Sequence, residues 1–309
     1  MIDDKVLGAY AAVATLSVAE QADWYGKAAR EWEINTFEIP LLAGVPMAPE
    51  LVEVFAQVSA SLVVTMVAQW ATNGQQNPAY GLSSVDEISR RNALLDAQSI
   101  LQQCHALSRR GVGIRCVEVH TGQGTGGGIA HAVALHRSLG ELRQAMSALL
   151  PDSDLVVEVA DSRPADHPIA FPAAKKSSLT LPELIAAVAA VNRDPGRAVS
   201  LVTNWGRLLI NGDEPLQAIG QILASEVPLG GVILSGAGAS PEGFMDSHNS
   251  HLDPESGFTA ADFKACAELL QASPEPVFIG MKCSVASTAG PLATEEVLTA
   301  QAQLLNQVG

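Results

Sequence analysis

The chain has 309 residues, 48% of them hydrophobic and 17% charged, so it can bury a full core without disulfide or metal staples. Its formal net charge of −15 comes from 18 Lys and Arg against 33 Asp and Glu, and no basic run could neutralise a phosphate backbone, which excludes nucleic acid as an expected partner. No apolar run reaches the roughly 18 residues of a membrane span, and MIDDKVLGAY puts two Asp where a signal peptide carries basic charge, so the expectation is one cytoplasmic domain over 1–309 with no membrane partner.

Eight short runs rich in Val, Ile and Leu follow in chain order, at residues 6–11, 34–39, 62–69, 113–120, 155–159, 198–203, 231–234 and 277–281. Longer amphipathic stretches separate them, the signature of βα units whose sheet is covered on both faces. Eight such units in about 300 residues predict a closed (β/α)8 TIM barrel, with an open doubly wound sheet as the rival. Ser84-Val-Asp-Glu87 reads as a capping box opening a long helix that ends near Gly111. Thr180-Leu-Pro-Glu183, Thr259-Ala-Ala-Asp262 and Thr294-Glu-Glu repeat the pattern later in the chain. The four cysteines, Cys104, Cys116, Cys266 and Cys283, lack C-x-x-C spacing and read as buried, reduced thiols.

The runs end in, or lead into, polar side chains: Tyr10, Glu38, Gln69, His120, Glu158, Asn204, Ser235 and Lys282. In a barrel these positions share the C-terminal mouth, where active sites are built. Polar or glycine-rich stretches at 72–84, 122–128, 161–178 and 236–257 follow the third, fourth, fifth and seventh runs, and long loops on one side are expected to bind substrate. A Glu in Leu-Val-Val-Glu158-Val and a Lys in Phe-Ile-Gly-Met-Lys282-Cys are costly inside a barrel unless paired or used. Either they serve the site or they form a structural ion pair across the barrel. His120 is a catalytic or ligand-binding candidate, or else a hydrogen-bonded wall residue. His248 and His251, with Asp246 and Asp253, form the densest group of potential ligands and read as a metal site or as a solvated polar loop. Gly122-Gln-Gly-Thr-Gly-Gly127 satisfies G-x-G-x-x-G, but three βα units precede it and Glu158 lies too far downstream for a dinucleotide fingerprint. A flexible substrate loop is the favoured reading.

Taken in order, these segments resemble the xylose isomerase-like TIM barrels, which include sugar isomerases, sugar-phosphate and ketose epimerases, inosose dehydratases and endonuclease IV. Ile34-Asn-Thr-Phe-Glu38-Ile resembles the acidic strand-two element, and Val-Glu-Val-His120-Thr-Gly resembles a strand ending His-Pro-Gly. Leu155-Val-Val-Glu158-Val is similar to the strand-five segment with a metal-ligating Glu, and Val202-Thr-Asn204-Trp-Gly-Arg207 falls where the family reads Asp-x-Gly-His. Asp253-Pro-Glu-Ser-Gly257-Phe-Thr-Ala-Ala-Asp-Phe263 resembles the family's Pro-Gly-x-Gly-x-(Ile/Leu)-Asp-Phe stretch. The resemblance implies one divalent metal held by a strand-five Glu, a strand-six Asp, a strand-seven His and a strand-eight Glu. Here only Glu158 survives in kind: Asn204, Ser235 and Lys282 take the other places. An ammonium where a divalent ion should sit argues against the usual metal, so no cofactor is expected. Arg207 beside Lys282 is expected to make the pocket cationic.

These readings converge on an isomerase or epimerase acting on a sugar, sugar acid or sugar phosphate by proton transfer next to a carbonyl. Glu158 is the expected base, and Lys282 or His120 the acid or electrophile. Glu38, Gln69, Asn204, Arg207, His248 and His251 are the expected substrate-binding residues. A Schiff-base lyase or aldolase using Lys282 and a non-catalytic carbohydrate-binding barrel are the alternatives. The expected partner is a small carbohydrate-like molecule, with a homo-oligomer left open.

Overall fold

The computed structural model describes residues 2–122, 128–162, 177–240, 243–285 and 291–308. Its parallel strands are β1 (Ile2–Gly8), β2 (Thr36–Pro40), β3 (Ser61–Thr65), β4 (Gly113–Val119), β5 (Asp154–Val159), β6 (Ser200–Asn204) and β7 (Leu229–Leu234). A two-stranded hairpin, β8 (Gly236–Ser240) and β9 (Gly243–Asn249), intervenes before the last parallel strand, β10 (Val277–Lys282). β1 pairs with both β2 and β10, so the sheet is a closed eight-stranded barrel and not a doubly wound sheet. Closure leaves no exposed edge. No described helix is long and apolar enough to cross a membrane.

Helices cover the outside: α1 (Tyr10–Val13), α2 (Val18–Glu31), α3 (Pro49–Gln57), α4 (Val67–Gln76), α5 (Glu87–Ser108), α6 (Ile129–Leu149), α7 (Leu181–Asn192), α8 (Trp205–Asn211), α9 (Pro215–Leu223), α10 (Ala260–Gln271) and α11 (Pro291–Leu305). The boxes at Thr180 and Thr259 are present as read, with Glu183 and Asp262 closing them. Two starts differ. α5 is capped by Asp86, whose carboxylate accepts from the Ser89 backbone, because Ser84 instead accepts from the Asp86 N–H in the preceding turn. Thr294 lies inside α11, which begins at Pro291. The third run also ends early: Met66 N–H turns to the Glu118 carbonyl, Val67 N–H to the Thr65 hydroxyl, and α4 begins. Gln69 is therefore a helical residue, and part of the expected loop at 72–84 is helix.

Side chains alternate along a strand, which sorts the barrel interior into two layers. Val6, Val63, Cys116, Val156, Val202, Ile233 and Phe278 form an apolar plug separate from the larger core between sheet and helices. The plug is fitted by glycines: a Cβ on Gly231 would meet the Phe278 ring at 2.4 Å, and one on Gly280 would meet Ile233 at 2.4 Å. Two residues further along each strand the same inward face carries Gly8, Thr65, Glu118, Glu158, Asn204, Ser235 and, two beyond Gly280, Lys282. Glu38 joins them from β2. The change from apolar to polar within one pleat places the site on top of the plug. All four cysteines are buried and free, and burial pushes Cys104, Cys266 and Cys283 up to about 12.

Candidate active site

On one side of the mouth the Lys282 ammonium donates to Glu38 Oε1 at 2.9 Å, both side chains being buried. Tyr10, the first residue of α1, brings its hydroxyl to the same oxygen at 3.4 Å and its ring centroid to 5.6 Å from Lys282 Nζ. Burial alone would lower the Lys282 pKa, but the Glu38 and Glu158 carboxylates reverse this and hold it above its ordinary value. Gly8 makes the pairing sterically feasible: a Cβ there would lie 2.8 Å from Glu38 Oε2 and 2.9 Å from Lys282 Cβ.

Across the barrel Glu158 is held from two directions. Its Oε2 lies 2.5 Å from His120 Nε2, and its Oε1 accepts from Arg207 Nε at 3.0 Å. Burial would push this carboxyl up, yet the Arg207 guanidinium and the His120 ring hold it well below the usual carboxylate range. Arg207 reaches the mouth because α8 turns directly out of β6, and its other nitrogen meets Asp161 at 2.6 Å and Asp246 of the hairpin at 3.3 Å. The expected ion pair between Glu158 and Lys282 is thus replaced by two pairs, Glu38–Lys282 and Glu158–Arg207. Among the described residues the pocket is not cationic either: Glu38, Glu158, Asp161 and Asp246 outnumber Lys282 and Arg207.

Among the described residues Glu118 has no such cation in contact. Thr65 Oγ1 donates to its Oε1 at 3.2 Å, and His120 Nε2 is 3.9 Å away. Burial, reinforced by the Glu158 and Glu38 carboxylates, raises it well above its ordinary value. Among the described residues, four buried polar atoms of this layer lack a protein partner: Glu38 Oε2, Glu118 Oε2, His120 Nδ1 and Asn204 Nδ2.

The other sequence candidates divide. Asn204 caps α8, accepting from Arg207 N–H at 3.4 Å and from the Ser235 hydroxyl at 2.8 Å. His248, at a positive φ of 50°, brings Nδ1 to 3.2 Å from Ser235 Oγ and Nε2 to 3.4 Å from Asp246. The hairpin therefore folds over the mouth beside β6 and β7. His251 does not join it, packing edge-on against Phe258 instead. Asp253 closes a local turn with Asn249 and the Glu255 backbone, so the expected cluster of two His and two Asp is split. Gln69 is also outside the mouth: its amide bridges Ala43 N–H at 2.8 Å and Asp96 at 3.0 Å. Among the described residues of the glycine loop only Gly122 and Gly128 are placed; 123–127 lie outside them, as do 163–176.

The four positions of the resembled family do not fit a divalent ion. Lys282 brings a charge of the wrong sign, Asn204 and Ser235 are bonded to each other, and both Glu158 oxygens are engaged. Among the described residues, the group able to offer three ligand atoms is a different one, Glu118, His120 and Glu158, whose atoms lie within 4.8 Å of one another. Sequence reasoning missed Glu118 and Asp161 as site residues, and it grouped Asp246 with His248, His251 and Asp253 and not with Arg207. The first was visible as the i−2 neighbour of His120 on the same face of β4; the other two depend on turns after the strands.

The fold is shared with L-ribulose 3-epimerase, at 14% identity with a TM-score of 0.63, covering 99% of this chain and 93% of that one. A D-psicose 3-epimerase from Clostridium cellulolyticum H10, solved with D-tagatose, matches at 13% identity and a TM-score of 0.67, covering 99% of both chains. A putative xylose isomerase from Rhodospirillum rubrum matches at 11% identity and a TM-score of 0.70 over 100% of both. No curated protein matches in sequence. These likenesses show a shared (β/α)8 barrel fold, and residues 6–295 match the profile described as "Domain of unknown function (DUF4862)", the family to which this chain belongs.

Proposed function

We propose that the chain is a carbohydrate isomerase or epimerase that moves a proton next to a carbonyl without the divalent metal that its sequence resemblance implies. The observation that carries this is the set of four buried atoms without protein partners, two carboxylate oxygens, a ring nitrogen and an amide nitrogen, in one layer of the mouth. Such a mixed array of donors and acceptors matches a polyol, and burial without partners is too costly to be incidental. Fold relatives that are ketose epimerases support the same substrate class.

The geometry changes the roles expected from sequence. Glu158 has both oxygens engaged and is held anionic, so it orients the His120 ring through Nε2 in the manner of a carboxylate–histidine pair. His120 Nδ1 is then the base that takes the proton from the carbon beside the carbonyl. The C–H electron pair moves toward the carbonyl oxygen, and the Lys282 ammonium stabilises the enediolate. Epimerisation follows when a second acid or water protonates the opposite face and the proton on His120 passes to solvent; isomerisation follows when His120 returns the proton to the neighbouring carbon and the hydroxyl proton of that carbon moves to the former carbonyl oxygen. A Schiff base needs a neutral amine, and Glu38 at 2.9 Å works against that state of Lys282.

Proton exchange tests the proposal. D-tagatose, D-fructose, D-allulose and a panel of aldoses, sugar acids and sugar phosphates would be incubated with the protein in D2O and followed by NMR. Deuterium is expected at the carbon beside the carbonyl, with a roughly 10²–10⁴-fold loss in His120→Gln. Binding without exchange of any sugar would make the barrel a binder, and exchange at the parental rate in His120→Gln would remove the base assignment. A second reading has one observation behind it: the Glu118–His120–Glu158 group could hold a divalent ion on the side of Glu158 away from Arg207.

A further inference from the structure

Residues 39–49, Ile-Pro-Leu-Leu-Ala-Gly-Val-Pro-Met-Ala-Pro, leave β2 at the mouth without one polar side chain. The loops around 161–162 and 236–257 at the same end are polar, and a chain with 33 Asp and Glu could have supplied polar residues here as well. Gly44, Val45 and Pro46 are nevertheless exposed, Val45 to 55%. Beneath them opens a cleft of about 350 Å³, walled by Ile39, Leu41, Leu42, Val45 and Met47 with Tyr10 among its lining.

Two features separate this cleft from a chance gap. First, its wall is pinned. Leu42 and Val45 form a bridge around Gly44, whose φ of +74° is readily adopted only by glycine. Gln69 Oε1 accepts from Ala43 N–H at 2.8 Å, Gln103 Nε2 donates to the Leu42 carbonyl at 2.8 Å, and Leu41 N–H is bonded to Thr65 at 3.1 Å. Gln69 is fixed in turn by Asp96, which also takes the Tyr80 hydroxyl at 2.7 Å and Asn73 at 2.8 Å. An exposed apolar turn is thus held in one shape by a network of buried and half-buried side-chain amides. Second, one side chain belongs to both the cleft and the site. Tyr10 lines the cleft and carries its hydroxyl to Glu38 Oε1, the oxygen that also accepts from Lys282.

We infer that this cleft is a subsite for an apolar alkyl or aryl substituent on the substrate, whose hydroxylated part occupies the barrel mouth. The ligand class is accordingly a glycoside or other sugar conjugate and not a free sugar. This rests on the carbohydrate reading of the mouth. A free hexose offers only hydroxylated surface, which gains nothing against a wall of Leu, Val, Pro and Met, whereas each methylene buried there gives roughly a fourfold gain in affinity, from about 0.8 kcal/mol per CH2.

The test compares methyl β-D-glucopyranoside with n-octyl β-D-glucopyranoside below its micelle concentration, by calorimetry on the full chain and on Val45→Asp. Val45 is exposed, so the variant keeps the fold; circular dichroism checks this, and Val45→Thr serves as a milder second variant. The expected result is roughly tenfold or more tighter binding of the octyl compound, from burial of at least two methylenes, with most of that gain lost in Val45→Asp and part of it in Val45→Thr. The inference is overturned if the octyl compound gains nothing over the methyl one, or if the gain survives in Val45→Asp. It is also overturned if the protein is a dimer that Val45→Asp makes monomeric, which would give the face to a second copy. Proton exchange reads the mouth alone, so loss of exchange with the octyl gain intact would count against the proposed reaction and not against the cleft.

Discussion

Lys282 is the residue on which the site turns. In a barrel lined by carboxylates it neutralises Glu38, and on the proposed metal-free reading its charge opposes a divalent ion between Glu158 and Asn204. Breaking a buried pair strands the remaining charge, at about 3–5 kcal/mol, whereas replacing both members with apolar groups is often neutral. Lys282→Met is therefore expected to lower stability by about that amount, and Lys282→Met combined with Glu38→Leu to recover most of it, as read by denaturant unfolding. A double variant as unstable as the single one would show that the pair is not the interaction lost. Protonation adds a second expectation. Glu158 has a depressed folded pKa, so its contribution is present above the unfolded carboxylate value and lost as pH falls through the folded one, well below the usual range. Glu118 has a raised folded pKa, so its contribution is complete at acid pH and lost as pH rises through the folded value. Melting temperature against pH should then lose part of its acid limb in Glu158→Gln and part of its alkaline limb in Glu118→Gln. Identical profiles for the parent and both variants would reject the assignment.

At the scale of elements, the hairpin β8–β9 joins the site to the surface. Asp246 on it holds Arg207 and His248 on it meets Ser235, so one inserted element touches the ends of β6 and β7. Replacing 238–247 by a short glycine linker is expected to weaken ligand binding and turnover together, because Arg207 loses one of its three carboxylates. Unchanged affinity and turnover would show the hairpin to be a bystander. The same elements mark how far sequence reaches. All eight strands were legible because apolar runs closed by a polar residue recur once per βα unit, and Glu38, His120, Glu158, Asn204 and Lys282 were found by that rule. Gln69 obeyed it only in appearance: the apolar run continued past Thr65 into the first turn of α4, and alternation and helical spacing cannot be told apart over so few residues. The partners of the site residues were not legible. Arg207 meets Glu158 only because α8 starts at Asn204 without a loop, and Asp246 meets Arg207 only because a stretch that reads as a polar loop pairs with itself. Those contacts are set by the direction of a turn, on which a single sequence is silent.

For the whole molecule, the question is what balances the charge of the barrel interior. In a closed barrel the plug of Val6, Val63, Cys116, Val156, Val202, Ile233 and Phe278 bars water from below, so every charge in the layer above must be met from the mouth. The chain meets them with its own cations, Lys282 on Glu38 and Arg207 on Glu158, Asp161 and Asp246. On the proposed reading, an interior neutralised this way leaves little attraction for a divalent ion at the positions the sequence resemblance implies. The purified protein is therefore expected to carry no stoichiometric divalent metal between Glu158 and Asn204, and Lys282→Glu with Asn204→Asp is expected to raise the affinity for Mn2+ or Zn2+. Elemental analysis and calorimetry on the parent, the double variant, Glu118→Gln and Asn204→Ala separate the cases. A parent metal lost in Glu118→Gln but kept in Asn204→Ala would put the ion at Glu118, His120 and Glu158. A parent metal lost in Asn204→Ala but kept in Glu118→Gln would restore the usual site and overturn the metal-free reaction.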